Sequence, residues 1–162
     1  MDNEVLYTPW RMKYILSAKE NGCIFCFDKG EDEKHLVVHR TEYCFVILNI
    51  YPYNNGHIMV VPNRHVSRIN DLNTEEINDV FSMVKMAEDI LQKAYNPEGF
   101  NIGMNIGKVA GAGVESHLHV HIVPRWSGDT NFMTVCSGVR VIPEDLQETY
   151  KKLKVLFDNE RL

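Results

Sequence analysis

Between Asn73 and Pro97, apolar side chains recur at Ile77, Val80, Phe81, Val84, Leu91 and Ala94, the three-to-four-residue spacing that gives a helix one apolar face. Asn73 followed by Glu76 fits a capping box at the start, and Pro97 cannot continue a helix. The spacing predicts a helix of about five or six turns whose stripe needs a sheet to cover. Three β-rich runs precede it, at 35–39, 43–49 and 57–62, the last entered through the turn-forming Tyr53-Asn54-Asn55-Gly56. They are expected to form an antiparallel meander. Residues 100–106 and 117–123 supply two more strands, separated by the glycine-rich run from Gly107 to Gly113. A last helix is predicted from Pro143 through Phe157, carrying Leu146, Tyr150, Leu153 and Leu156. The fold class is therefore α+β: an antiparallel sheet of about five strands, one long helix and a C-terminal helix. The charged stretch Lys29 to Lys34 lacks an apolar anchor and reads as an exposed connector, and Asp158 to Leu162 as a frayed end.

At 162 residues and 44% hydrophobic side chains, the chain can bury one core. No repeat or linker divides it, so a single domain over 1–162 is expected. The net charge of −5 and pI near 5.8 leave no basic field for a long nucleic acid. A small nucleotide remains compatible, because backbone amides and histidines can hold one or two phosphates. No stretch reaches a membrane-spanning length and the N-terminus lacks the pattern of a signal peptide, so a cytoplasmic protein without a membrane partner is expected. Of the cysteines at 23, 26, 44 and 136, only Cys23 and Cys26 are close in sequence. In a reducing compartment that pair suggests half a metal site or a redox pair.

The chemistry concentrates in His117-Leu118-His119-Val120-His121-Ile122. In an extended strand, side chains two apart share a face, so three histidines line one side and Leu118, Val120 and Ile122 the other. A lone histidine is more often packed or solvated than functional. Three in strict alternation, backed by an aliphatic face, point to a site. Such a face suits a metal ion, since imidazoles converge well on zinc, or nucleophilic catalysis, with one neutral imidazole attacking and a neighbour supporting charge. The glycines at 111 and 113 favour the second, because small residues let backbone N–H groups approach a phosphate.

These residues resemble the histidine triad family. The run His117 to Val123 matches its signature, and the surroundings agree: Asn49 in Ile47-Leu48-Asn49, the run Asn55 to Pro62, and Met104-Asn105-Ile106-Gly107. The likeness spans about Cys23 to Trp126. Tyr7 to Tyr14 and Pro124 to Phe132 look like the diadenosine tetraphosphate phosphorylase-like branch. The resemblance implies a HIT-like fold, a homodimer, and cleavage of dinucleoside polyphosphates by hydrolysis or phosphorolysis through a covalent nucleotidyl-histidine. His119 would be the nucleophile, His121 would contact the phosphate and help the leaving group, and His57 would brace them. Asn105, Gly107 and the amides of Ala112, Gly113 and Val114 would hold phosphate oxygens, with Asn49 near the ribose and Ile47 and Met59 in the base pocket. Many relatives carry Gln then Ser or Thr where this chain has Gly113 and Val114, so only backbone contacts are expected there.

Cys23-Ile24-Phe25-Cys26 has the spacing that presents two thiolates to one tetrahedral ion. Within the resemblance, zinc-bearing members complete the set with a histidine after the third strand and the first triad histidine, here His65 and His117. A structural zinc is thus expected, and no organic cofactor. Cys44 is expected in the core, His35 and His39 in surface or hairpin packing. Trp126 is a candidate to cover the substrate or pack a dimer, and Cys136 has no evident partner. Competing readings are a purine nucleoside phosphoramidate hydrolase, a nucleotide-binding sensor without turnover, and a protein that binds one metal ion through all three triad histidines.

Overall fold

The computed structural model describes residues 22–129 and 142–160. The expected meander is present as β1 (Val37–Arg40), β2 (Cys44–Leu48) and β3 (Ile58–Pro62), followed by β4 (Gly99–Gly103) and β5 (Val120–Arg125). All pair antiparallel in the order β1-β2-β3-β5-β4. Alternation divides the inner strands between two apolar layers. Val46, Leu48, Ile58, Val60, Val120 and Ile122 face the helices, whereas Phe45, Ile47, Met59 and Val61 turn the other way, where Phe25 and Val37 cover them.

Helix α1 runs Thr74–Tyr95 behind the predicted capping box. Asn73 accepts the Glu76 N–H, and the Glu76 carboxylate accepts the Asn73 N–H, both at 2.8 Å. Val80, Met83, Val84, Ala87, Ile90 and Leu91 form the buried stripe. Phe81, expected in it, is 53% exposed because it lies about 120° round the helix from the middle of those positions. Helix α2, Leu146–Asn159, begins later than predicted: Asp145 caps it by accepting the Gln147 N–H at 2.8 Å. Leu153 and Phe157 enter the core. The helix continues through Asp158, expected to fray, and Glu160 pairs with Lys93 of α1 at 3.0 Å.

The Lys29 to Lys34 connector is largely exposed, as expected; Lys29–Glu31 forms a 3-10 turn, and Asp32 just after it accepts a forked contact from Arg40 at 2.5–3.2 Å, which ties the stretch to β1. Two other expectations need correction. The strand expected at 100–106 ends at Gly103. The one expected at 117–123 begins only at Val120, because β3 offers it partners from Ile58 to Val60 and no further. Before Val120 the chain swings out, and the Leu118 N–H donates instead to the Val66 carbonyl at 2.6 Å. His117 and His119 therefore lie in an irregular segment leading into the sheet. Among the described residues, no helix is long and apolar enough to cross a membrane.

Candidate active site and metal centre

Side-chain hydrogen bonds, more than sheet pairing, orient the histidines. His119 Nδ1 lies 2.9 Å from the His117 carbonyl, which can only accept, so Nδ1 carries the proton and Nε2 keeps its lone pair. His57 Nδ1 accepts the Tyr53 backbone N–H at 3.0 Å, which leaves its Nε2–H to donate to His121 Nδ1, also at 3.0 Å. His121 is thereby left with its proton on Nε2. The His119 and His121 rings meet edge to face at 4.8 Å. Asn49 Nδ2 is 3.4 Å from His57 Nε2, and the Asn49 side-chain oxygen accepts the Tyr51 N–H at 2.9 Å.

Burial pushes all three imidazoles below their ordinary range. For His57 the value falls to about 3, through burial and then the positive charge that His121 and His119 would carry; for His121 it falls to about 4, through burial and then His119. His119 is also lowered by burial, although the His117 carbonyl opposes the shift. The rings are neutral at pH 7. An unfolded chain protonates these histidines near 6.5, while in the folded one His121 excludes its proton until about 4 and His57 until about 3. Folding stability is therefore complete above about pH 6.5 and declines as the pH falls toward 4. Urea unfolding at pH 7, 6 and 5 should show that decline, with a shallower slope in His57→Gln. Equal slopes would contradict the neutral, buried His57.

An open cleft runs over the layer that faces away from the helices. Ile47, Asn49, Met59, Asn105, Gly113, Val114, His119 and His121 all line it, so most of the expected nucleotide contacts converge. Gly107 and Ala112 do not: their loop closes on itself, with the Ala112 and Ala110 N–H groups donating to the Gly107 carbonyl at 3.4 and 3.2 Å. Gly107 and Gly111 supply the positive φ angles, 84° and 88°, that this closure requires. The Gly113 and Val114 amides make no backbone hydrogen bond among the described residues. Of the three amides expected to hold phosphate, these two make no such bond while that of Ala112 does.

His57 and His117 stand behind the lining, 2% and 0% exposed. Three participants escaped the sequence reading. Phe25 packs against both His117 and His119, with ring centroids 5.5 and 5.3 Å apart. Tyr53 sets the His57 tautomer, and the Pro62 carbonyl sets that of His117. Two of these act through backbone atoms, which leave no residue-type signal. Cys44 is buried in the core as expected. His35 stacks on Phe27 at 4.0 Å and His39 on Phe157 at 5.6 Å. Trp126 occupies the turn after β5, its backbone N–H donating to Asp129 at 3.3 Å. Cys136, the peptide Tyr7 to Tyr14, and residues 130–132 lie outside the described residues.

The Cys23, Cys26, His65 and His117 ligand atoms all lie within 4.8 Å of one another. His117 Nε2–H donates to the Pro62 carbonyl at 2.8 Å, so its Nδ1 lone pair faces the sulfurs. Cys23 Sγ is 3.3 Å from that nitrogen, Cys26 Sγ 3.7 Å, and Cys26 Sγ is 3.2 Å from His65 Nδ1. A tetrahedral ion bonded to thiolate and imidazole at ordinary zinc distances separates sulfur from nitrogen by about 3.6 Å. The donor set therefore fits a divalent metal. Burial, with the Cys26 sulfur adding to it, raises the Cys23 thiol to about 11, and a bound cation would reverse that by holding the thiolate.

A family model described as "HIT domain" matches residues 29–128. Over 158 residues the chain is 40% identical to AP-4-A phosphorylase of Mycobacterium tuberculosis, covering 91% of this chain and 81% of that one. It is 37% identical over 93 residues to the asymmetrical bis(5'-nucleosyl)-tetraphosphatase of Schizosaccharomyces pombe, covering 57% of this chain and 50% of that one. Among solved structures, a Zn-bound histidine triad family protein from Mycobacterium smegmatis superposes with a TM-score of 0.68 at 27% identity, covering 85% of this chain and 94% of that one. Alternating histidines, the sheet that carries them and these likenesses agree: the chain belongs to the histidine triad family.

Proposed function

We propose that this protein cleaves dinucleoside polyphosphates, diadenosine tetraphosphate in particular, by transferring a nucleotidyl group first to His119 and then to orthophosphate. The observation that carries the reading is the His119 tautomer: Nδ1–H is held by the His117 carbonyl at 2.9 Å, and the Nε2 lone pair is left for attack. Ile47 and Met59 form the base pocket, Asn49 lies by the ribose, and Asn105 with the Gly113 and Val114 amides holds phosphate oxygens. His119 Nε2 attacks the phosphorus next to the bound nucleoside. The N–P bond forms as the P–O bond to the distal polyphosphate breaks, and the His121 Nε2–H hydrogen-bonds the departing oxygen. The adduct places positive charge on the imidazole ring, and the His117 carbonyl that accepts Nδ1–H stabilises it. Phosphate oxygen then attacks phosphorus, the N–P bond breaks, and neutral His119 returns. Positioning and electrostatics supply most of the acceleration.

Similarity to AP-4-A phosphorylase over most of the chain supports phosphate as the acceptor. Incubation with diadenosine tetraphosphate should give ATP and ADP only when orthophosphate is added. ATP and AMP without phosphate would make water the acceptor. An inert protein that hydrolyses adenosine phosphoramidate would replace this reading with the phosphoramidase one.

Zinc is the metal that the two thiols and two imidazoles suit best, and a Zn-bound family member among the structural neighbours supports it. Its role is structural, because all four positions of a tetrahedron are taken by protein and no site remains for substrate. The whole chain, 1–162, acts as one domain in a homodimer. β4 supports the dimer: among the described residues it is an edge strand of the sheet, with Asn101, Ile102 and Gly103 exposed. Light scattering on the purified protein should give about twice the chain mass of 18.7 kDa, and Ile102→Lys should shift it toward monomer. A monomeric wild type would remove this assignment. A cytoplasmic setting accords with the free thiols of Cys23, Cys26 and Cys44.

A further inference from the structure

Among the described residues the cleft continues beyond His121. On β5, side chains of His121, Val123 and Arg125 share one face, and all three line the cleft. Gly103 of β4 pairs opposite His121, and among the described residues a Cβ placed on it would meet nothing within 4 Å, so their floor beside the histidine carries no side chain. Tyr53 walls this end. The residue is 52% exposed, its ring inclined only 27° to the His121 ring at 6.0 Å between centroids, and 4.6 Å from the His57 ring. The phenol ring thus lies beside the histidines, and the residue lines the cleft.

We propose that Tyr53 is the specificity-determining residue of a second nucleotide subsite, where it stacks on the base of the leaving nucleoside polyphosphate. The inference rests on the proposed dinucleotide reaction. The apolar layer of Ile47 and Met59 lies on the β2–β3 side of His119, whereas Val123 and Tyr53 lie on the far side of His121. In-line attack by His119 sends the leaving group away from the attacking nitrogen, past His121 and toward Tyr53. Stacking suits a group that must be held loosely and released each turnover, and it tolerates different bases because every base has a π-face.

The test compares wild type, Tyr53→Ala and Tyr53→Phe on two substrates with the same adenylyl group: diadenosine tetraphosphate and adenosine 5'-phosphoramidate, whose leaving group is too small to reach Tyr53. Both substitutions keep the backbone N–H that orients His57. Tyr53→Ala should lower the ratio of kcat/KM for dinucleotide over phosphoramidate about tenfold, and Tyr53→Phe should restore it. Calorimetry with a non-cleavable methylene-bridged diadenosine tetraphosphate against AMP should show the same loss of preference in Tyr53→Ala. A parallel fall on both substrates, no change in the ratio, or a Phe variant that behaves like the Ala variant would overturn the subsite, as would a wild type that binds the analogue no better than AMP. A wild type that prefers the analogue yet fails to cleave diadenosine tetraphosphate would sink the proposed reaction and leave the subsite standing.

Discussion

His119→Ala should lower kcat for diadenosine tetraphosphate by on the order of 10⁴-fold or more while metal content stays at the wild-type level. The two readouts separate because the residue and the metal ligands use different atoms. His119 reaches its neighbour through Nδ1 and the His117 carbonyl, whereas His117 faces the thiols with its own ring nitrogen. Removing the His119 ring deletes the attacking lone pair and leaves the four-ligand cluster whole. Acid-quenched wild type should carry the mass of an adenylyl group; the variant should carry none. Loss of metal alongside activity would point to one ion held by all three triad histidines, and activity within tenfold of wild type would show that another group attacks.

Chelation of the metal, or the double substitution Cys23→Ala with Cys26→Ala, should lower the melting temperature by on the order of 10 °C. An ion bound about a thousandfold above its dissociation constant contributes about 4 kcal/mol, and a chain of this size shifts by roughly 2–4 °C per kcal/mol. The cluster ties the 23–26 turn, which belongs to no strand, to the segment after β3 and the stretch before β5, which otherwise meet through β3–β5 pairing and the Leu118–Val66 hydrogen bond. His117 also sets the register of the nucleophile two residues later, so activity should fall with the metal and return with added zinc. A melting temperature unmoved by chelation would mean that the hydrogen bonds to Pro62 and Val66 hold this region without an ion.

How much of this was legible before folding differs element by element. Helix α1 was legible because a capping box and a 3.6-residue stripe are local codes, and the meander because β-branched runs and the Tyr53-to-Gly56 turn are local too. Phe81 was misplaced because a stripe read from spacing includes side chains at its margin, and only the mating surface decides where the margin falls. The triad strand was read as starting three residues too early. Alternation persists through His117 and His119 whether or not a partner strand is there to accept their backbone, and β3 ends its pairing with Val60.

Residue identity and spacing determined the fold class, the histidine face, the thiol pair and the family likeness, because each is written in short-range pattern. Tertiary structure alone decided which nitrogen of each histidine carries a proton, since that depends on the Pro62 and His117 carbonyls and the Tyr53 amide, groups every sequence contains and none advertises. It also decided that Ala112 turns inward while Gly113 and Val114 face the cleft. The four side chains of the thiol–imidazole cluster, spread from Cys23 to His117, come within reach of one another only when the sheet brings their loops to the same end, a long-range closure that no local pattern encodes.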